Sequence, residues 1–204
     1  GAHVLRAIDQ AALRAAPLPI SRVVDMGVEL AAALQHMHER STLHRDIKPS
    51  NIGFTASGTP KLLDFGLAKI LVAPALSEDR HAPQASTSTN DAMRTPSADF
   101  LVGTPAYFSP ELVSLHPPDY AADLWALALT LYEAIAGANP MAARTALDTL
   151  ERIATRRVPR LDSVRPDCPA AVTDFFAAAL GPRLDERPSS ATAFQAGLQR
   201  LVAS

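Results

Sequence analysis

The residues from Asp123 to Gly137 constrain the fold of this 204-residue chain more than any other stretch. They read as a helix that is apolar nearly all round, rich in leucine with tryptophan, tyrosine and isoleucine. A helix without a polar face is a buried one, so the rest of the chain has to cover it. With 48% hydrophobic residues, the chain can form a sizeable core for one domain or one large lobe.

Apolar periodicity elsewhere in the chain predicts further helices. Their predicted ranges are Val4 to Ala15, Arg22 to Arg40 with Ser21 as its N-cap, Ala142 to Thr155, Pro169 to Leu180, and Ser190 to Val202. Two short apolar runs, Ile52 to Thr55 and Pro60 to Leu63, flank a connection that contains glycine and predict a small β-hairpin. The predicted fold is therefore mainly α-helical with one small hairpin.

The eight residues from His44 to Asn51, H-R-D-I-K-P-S-N, combine a carboxylate, a cation and an amide. The carboxylate of Asp46 can accept or orient the proton of an attacking hydroxyl. The charge of Lys48 can neutralise a transferring phosphoryl group, and Asn51 offers a neutral oxygen suited to Mg²⁺. Together these groups meet the needs of phosphoryl transfer to a hydroxyl.

This stretch resembles the catalytic loop of protein kinases, H-R-D-x-x-x-x-N. Thirteen residues after Asn51, the triplet Asp64-Phe65-Gly66 resembles the D-F-G motif, whose aspartate holds Mg²⁺. The run from Phe100 to Glu111 resembles the end of a kinase activation segment, G-T-x-x-Y-x-A-P-E, with Ser109 at the alanine position. The chain is identified as a member of the eukaryotic-like protein kinases.

The resemblance extends over residues 1–204 and implies a protein-kinase-like fold. Within that fold, the chain corresponds to the C-terminal lobe. The apolar helix resembles the central helix of that lobe, and the residues from Gly137 to Pro140 resemble the G-x-x-P motif that follows it. Before Asp46 there are two glycines and no lysine. We therefore expect this chain to lack the N-lobe with its Gly-rich loop and strand lysine, and to be inactive on its own.

The resemblance implies ATP and Mg²⁺ as cofactors and a protein hydroxyl as acceptor. It assigns catalysis to Asp46 and Lys48, cofactor binding to Lys48, Asn51 and Asp64, metal binding to Asn51 and Asp64, and roles at the activation segment to Arg45, Thr104, Glu111 and Arg187. Lys48 and Thr104 resemble the serine/threonine branch. Arg45 is expected to bind a phosphate on the activation segment. Glu111 and Arg187 are expected to form a buried, bidentate ion pair.

Residues 72–99 are rich in Ala, Pro, Ser, Thr and Asp and have no periodicity. They lengthen the stretch from Asp64 to Glu111 to 48 residues, which is long for the family. We interpret them as a low-complexity insertion in the activation segment that is disordered and carries the regulatory phosphorylation.

Charge and cysteine content exclude other classes. The net charge of −2 gives no basic field for nucleic acid, and no apolar run reaches membrane-spanning length. The single Cys168 excludes an intramolecular disulfide and indicates a reducing compartment, so we expect a cytoplasmic protein. Three histidines, His36, His38 and His44, lack the spacing of a metal site.

An Arg- and Ala-rich composition with lysine only at positions 48, 61 and 69 suggests a bacterial source.

Three functions compete. The leading one is a serine/threonine protein kinase that transfers the γ-phosphoryl group of ATP to protein hydroxyls when an N-lobe completes it. The second is a non-catalytic binding or scaffold module derived from a kinase. The third is a small-molecule phosphotransferase, which the activation segment ending in Ser109-Pro110-Glu111 disfavours because that element docks peptides.

Overall fold

The computed structural model describes residues 6–8, 10–64, 69–70, 105–155 and 157–202. Within these ranges there are eight α-helices: α1 (Gln10–Ala15), α2 (Ile20–His38), α3 (Pro110–Val113), α4 (Tyr120–Ala136), α5 (Ala146–Thr155), α6 (Leu161–Val164), α7 (Ala170–Ala179) and α8 (Ala191–Val202). Short 3₁₀ turns lie at Pro49–Asn51, Pro105–Tyr107 and Leu184–Glu186. None of the described helices could cross a membrane, because none is both long and apolar enough.

Five short strands are described: β1 (Arg6–Ala7), β2 (Thr42–Leu43), β3 (Ile52–Phe54), β4 (Pro60–Leu62) and β5 (Lys69–Ile70). They form two small antiparallel sheets, one with the order β1-β3-β4 and one pairing β2 with β5. Ile52 pairs with Leu62, so the predicted hairpin is confirmed. Its register puts Asn51, just before β3, opposite Leu63, just after β4.

The apolar helix α4 is the buried centre of the fold, as predicted. Every residue from Asp123 to Ile135 is buried. Asp119 caps the N-terminus by accepting a hydrogen bond from the backbone N–H of Ala122 at 3.2 Å. Gly137 ends the helix in the left-handed conformation, with φ of 80°. Helices α2, α6 and α7 pack against α4, and α8 packs against α2 and α7.

The first predicted helix is wrong in its first half. The sequence predicts a helix over residues 4–15, but Arg6–Ala7 forms a strand and the helix begins at Gln10. The backbone of this strand pairs with Gly53 and Phe54. Such a pairing joins residues far apart in sequence and overrides the local preference for helix.

Two helix starts also differ from the predicted ones. Ser21 lies inside the first turn of α2, because Pro19, with an extended backbone, occupies the cap position. Helix α5 begins at Ala146 rather than four residues earlier. Thr145 sets this start, since its hydroxyl accepts a hydrogen bond from the backbone N–H of Asp148 at 3.1 Å. Helices α7 and α8 lie within one residue of their predicted ranges.

Gly27 lets α2 approach two other helices closely. A Cβ atom at this position would lie 2.7 Å from Cδ1 of Leu198 on α8 and 2.8 Å from Cδ1 of Leu131 on α4. Both leucines are fully buried, at 0% exposure, so neighbouring side chains limit how far they can move.

We expect Gly27→Ala to destabilise the protein. Alanine gains about 1 kcal/mol in helix propensity, but overpacking a core costs about 1–3 kcal/mol. Urea unfolding should show a net loss of stability. The exposed Ala33→Gly, on the same helix, reports the propensity term alone and should lose about 1 kcal/mol. A more stable Gly27→Ala variant would show that the two leucines accommodate the added carbon.

Candidate active site

The carboxylate of Asp46 is the centre of a small cluster of hydrogen bonds. Nζ of Lys48 lies 3.0 Å from its Oδ1 and 2.8 Å from its Oδ2. Nδ2 of Asn51 donates to Oδ2 of Asp46 and to the backbone oxygen of the same residue, both at 2.8 Å. The structure thus brings together around one carboxylate the three residues singled out from the sequence.

The local backbone is shaped to bring these side chains together. Pro49 begins a 3₁₀ turn, and at its end the N–H of Asn51 donates to the carbonyl oxygen of Lys48 at 2.9 Å. Arg45 has a φ of 68°, in the left-handed region. For a residue with a side chain this conformation costs about 1–3 kcal/mol and persists only where the surroundings enforce it.

Asp123, in the first turn of α4, supplies that enforcement. Its Oδ2 accepts a hydrogen bond from the backbone N–H of His44 at 2.9 Å, and its Oδ1 accepts one from the N–H of Arg45 at 2.8 Å. Nε2 of His38 lies 3.0 Å from Oδ2. Asp123 is 1% exposed, so these donors replace the water that the carboxylate has lost. The predicted catalytic loop is therefore hydrogen-bonded through its backbone to the central helix.

Leu63 connects the loop to the predicted metal-binding Asp64. The N–H of Leu63 donates to the carbonyl oxygen of Asn51 at 2.8 Å, and its own carbonyl oxygen lies 3.2 Å from Nε2 of His44. Asp64 follows directly, exposed and with a φ of 60°. Both the N–H and the carbonyl oxygen of Leu63 are hydrogen-bonded, so the backbone just before Asp64 is held in place. Asp64 itself lies at the end of the hairpin that carries Asn51.

His44 is a neutral, buried link between these parts. Burial lowers its pKa below the ordinary value of 6.5 and outweighs the nearby carboxylates. In the neutral ring Nδ1 can accept from the N–H of Asp46 at 3.4 Å, while Nε2 donates to Leu63. Because the unfolded chain binds a proton that the folded one resists, His44 makes stability fall as the pH drops below about 6.5.

The donor set fits Mg²⁺ held together with a nucleotide. Both hydrogens of Nδ2 of Asn51 are used by Asp46, which leaves its Oδ1 as the atom able to ligate a cation. Asp64 adds one carboxylate. Among the described residues no three His, Cys, Asp or Glu side chains form a metal cluster. Mg²⁺ in nucleotide sites usually takes only one or two protein oxygens and completes its shell with phosphates and water.

Arg187 and Glu111 form the predicted ion pair. Nη1 of Arg187 donates to Oε2 of Glu111 at 3.1 Å, and Nη2 lies 3.0 Å from Oε1. Nη2 does not meet hydrogen-bond geometry, so there is one hydrogen bond and one close charge contact instead of the two parallel bonds predicted. Nε donates to the carbonyl oxygen of Gly181 at 2.8 Å, and the guanidinium lies 4.5 Å from the ring centre of Trp125 on α4. The Arg187 side chain is 4% exposed and that of Glu111 22%, so only the cation is fully buried.

Glu111 is held charged by these contacts. Burial alone would raise its pKa, but hydrogen bonds from Arg187, its own backbone and Ser109, together with the arginine charge, keep the pKa below 4.5. Ser109 also caps α3, accepting from the N–H of Leu112 at 3.3 Å. The serine at the usual alanine position therefore contributes to the start of this helix.

The turn at Pro105–Tyr107, just before α3, is also tied to α4. The hydroxyl of Tyr107 donates to Oε2 of Glu133 at 2.5 Å, and both residues are buried. The end of the predicted activation segment is thus held by Glu133 on one side and by Arg187 on the other.

Other predicted features fall partly outside the described residues. The side chain of Arg45 is half-buried, and its Nε has no hydrogen-bond partner among the described residues. Thr104, the pair Phe65-Gly66 and the stretch 72–99 lie outside the described ranges. Their predicted roles stay predictions.

Sequence reasoning missed the parts played by Asp123, Glu133 and His38. A signal for the first two is present in the sequence, because they are the acidic residues of a helix with no polar face. A buried carboxylate needs donors, so each had to meet a partner from another segment. No comparable signal identified His38, which lies near the end of an ordinary amphipathic helix.

Comparisons with known proteins match the chain to one family. The sequence profile of the protein kinase domain matches residues 5–198. The chain is 33% identical over 172 residues to serine/threonine-protein kinase Nek4 of Mus musculus, covering 84% of this chain and 19% of that protein. It is 32% identical over 189 residues to serine/threonine-protein kinase pkn3 of Myxococcus xanthus, covering 90% and 32%. For the DNA damage-responsive serine/threonine-protein kinase RqkA of Deinococcus radiodurans the identity is 31% over 182 residues, covering 89% and 24%.

The chain belongs to the protein kinase domain family. Its described part has the mainly helical architecture and small hairpin predicted for the C-terminal lobe of that fold. It spans between about a fifth and a third of the length of these curated relatives.

We expect Asp123→Asn to weaken the fold and release the catalytic loop. Asparagine has one accepting oxygen where aspartate has two, so at least one backbone N–H loses its partner and the charge is gone. The free energy of unfolding should fall by about 3 kcal/mol. Asp119→Asn, on the same helix, should change stability by less than about 0.5 kcal/mol, because asparagine is an equally good N-cap. Equal stability of the two variants would contradict the anchoring role.

We also expect Arg187→Ala to lose about 3 kcal/mol, since it leaves Glu111 partly buried without a cation. Arg187→Lys should recover only part, because an ammonium cannot match the planar fork. The pair stabilises the fold above pH 4.5, and this contribution is lost as the pH falls through the lowered pKa of Glu111. Arg187→Ala should therefore lose stability less steeply in acid than the wild type. A double-mutant cycle with Glu111→Gln that shows no coupling energy would contradict the pairing.

Proposed function

We propose that this chain is part of a serine/threonine protein kinase that transfers the γ-phosphoryl group of ATP to hydroxyls of a protein substrate. The observation that carries the proposal is the cluster in which Lys48 and Asn51 both contact the carboxylate of Asp46. Membership of the kinase family and similarity to serine/threonine kinases support it. In this proposal the described residues form the C-lobe, and the phosphate-covering glycines and strand lysine belong to an N-lobe.

Each side chain has a defined task in the proposed reaction. Asp46 orients the acceptor hydroxyl and takes its proton as the oxygen attacks the γ-phosphorus and the bond to the β-phosphate oxygen breaks. Lys48 neutralises charge on the phosphoryl oxygens. Asn51 and Asp64 would hold Mg²⁺, which when bound supplies charge neutralisation and orientation of the phosphates. Preorganisation by Asp123 means that the loop does not have to be ordered at the moment of reaction.

Regulation at Arg45 belongs to the same proposal. Its charge and its Nε, which has no hydrogen-bond partner in the described part of the chain, suit a phosphate carried by the activation segment, since a phosphoryl group brings about −1.5 to −2 charge and three acceptor oxygens. The hydroxyl-rich stretch 72–99 is the proposed carrier of this phosphate, and Thr104 has a proposed role at the activation segment.

We place the protein in the cytoplasm on the strength of its single cysteine, Cys168.

We expect Asp46→Asn and Asp64→Asn each to abolish phosphorylation of a protein acceptor while leaving the fold intact. Loss of the base should cost about 10²–10⁴ in turnover. Loss of the Asp64 carboxylate should also weaken Mg·ATP binding in calorimetry. Asp162→Asn, at an exposed site, is the matched control and should keep full activity. The assay uses the full-length protein with phosphoamino-acid analysis of the product.

Near wild-type turnover in either variant would contradict the assigned roles. A folded wild type that binds proteins but transfers no phosphate would favour a kinase-derived scaffold. Transfer to a small molecule but to no protein would favour a small-molecule phosphotransferase.

A further inference from the structure

A cavity of about 230 Å³ lies between α7, the second half of α4 and the segment that joins α5 to α6. Its apolar walls include Tyr132, Val158, Leu161, Phe176 and Leu180. All of these except Val158 are at most 3% exposed, so the surrounding core fixes their positions. A dry apolar cavity of about 150 Å³ is large enough to bind benzene. This cavity therefore has room for one ring with a short chain.

Two backbone carbonyl groups that border the cavity already accept hydrogen bonds. The carbonyl oxygen of Pro159 accepts from the hydroxyl of Tyr132 at 3.0 Å. The carbonyl oxygen of Gly181 accepts from Nε of Arg187 at 2.8 Å. A ligand rich in donors has to compete with the protein's own donors for these oxygens, and this favours a ligand that mainly accepts hydrogen bonds.

The charged side chains that line the cavity both belong to arginines, Arg157 and Arg160. Nη2 of Arg160 lies 3.1 Å from a carboxylate oxygen of Asp162 and 3.0 Å from one of Asp174, so two acidic residues already hold this cation. Arg157 is exposed and forms no ion pair with any residue in the described ranges. Its guanidinium carries several N–H donors and no acceptor. The cavity thus combines an apolar interior with an available cation at its edge.

We propose that this cavity is a binding site for a compact apolar carboxylate, a molecule with one ring on a short acidic chain. The ring packs against Phe176 and Leu180, and the carboxylate accepts hydrogen bonds from the guanidinium of Arg157. A carboxylate suits this edge because it only accepts, and its two oxygens match the fork of an arginine. No residue that lines the cavity belongs to the cluster around Asp46, and binding here does not require the proposed catalytic activity.

Calorimetry on the full-length protein with three probes tests the chemistry of the site. The first probe, 3-phenylpropionate, should bind with a Kd of about 1 mM or lower. Its neutral amide, 3-phenylpropionamide, should bind at least about threefold more weakly, since it cannot form a charge-assisted bond. The two-ringed 3,3-diphenylpropionate should bind at least about tenfold more weakly, because its second ring overfills the cavity. An exposed apolar patch, in contrast, binds the two-ringed acid more tightly.

Two arginine variants test the role of the cation. Arg157→Gln should raise the Kd for 3-phenylpropionate about threefold to tenfold, the contribution of one hydrogen bond, and should affect the amide less. Arg144→Gln is the matched control, since Arg144 is also exposed but does not line the cavity, and its Kd should equal that of the wild type. The proposal is overturned by equal effects of the two variants, by equal affinity for acid and amide, by tighter binding of the two-ringed acid, or by no binding at all.

Amide hydrogen exchange locates the bound probe without any variant. The N–H of Leu180 donates to the carbonyl oxygen of Phe176 at 2.9 Å, and both residues line the cavity. Its exchange should slow when 3-phenylpropionate is saturating. The N–H of Glu39 donates to the carbonyl oxygen of Gln35 at 2.9 Å at the end of α2, away from the cavity lining, and serves as the control. An unchanged rate at Leu180, or equal slowing at both positions, overturns the assignment of the site.

Discussion

The hydrogen bonds of the Asp123 carboxylate are the interaction on which the geometry of the candidate active site depends. A charge that is 1% exposed in an apolar helix would be prohibitively unfavourable without donors. The donors it finds are the backbone N–H groups of His44 and Arg45 and the ring of His38. The arrangement is mutual: the loop satisfies the buried charge, and the charge enforces the left-handed backbone at Arg45. The loop conformation and the buried carboxylate therefore stabilise each other.

The central helix α4 makes further contacts with distant segments along its length. Near its start Asp123 holds the catalytic loop, and Trp125 packs against the guanidinium of Arg187. Further on, Glu133 holds Tyr107. At the end, where helix carbonyls lack intrahelical partners, that of Ile135 accepts from Nη1 of Arg165 at 3.0 Å. Helix α4 is buried on all sides. The segments that converge on the site are therefore all positioned by contacts with the same helix.

The sequence predicted those features that depend on local pattern or on a motif of fixed spacing. The burial of α4 followed from its composition, and the cluster around Asp46 from eight consecutive residues. The pairing of Glu111 with Arg187, 76 positions away, was predicted from resemblance, since nothing in local chemistry connects them. Its detail was not predicted: Nη2 misses hydrogen-bond geometry while Nε bonds to a backbone carbonyl, and such angles depend on packing that no pattern encodes.

Contacts made by backbone atoms of distant segments could not be predicted from the sequence. Strand β1 exists because its peptide groups pair with Gly53 and Phe54. In the same way, Nδ2 of Asn139 donates a hydrogen bond to the backbone carbonyl oxygen of Ala106. Backbone donors and acceptors are the same for nearly every residue type, so their partners leave no mark on composition. The anchoring role of Asp123 was missed for a related reason, since an aspartate in the first turn of a helix is already explained by its favourable interaction with the helix dipole.

The hydrogen bonds of Asp46 show how the site can be both ordered and reactive. A carboxylate offers about four lone-pair positions. Asn51 uses one on Oδ2, and Lys48 lies within reach of both oxygens. At least one position on Oδ1 is therefore left for the acceptor hydroxyl of the proposed reaction, while the other contacts fix the direction in which this oxygen points. In the proposed reaction Lys48 turns toward the phosphoryl group and leaves the carboxylate of Asp46. Asn51 keeps it oriented throughout, because its amide is also anchored to the backbone of Asp46.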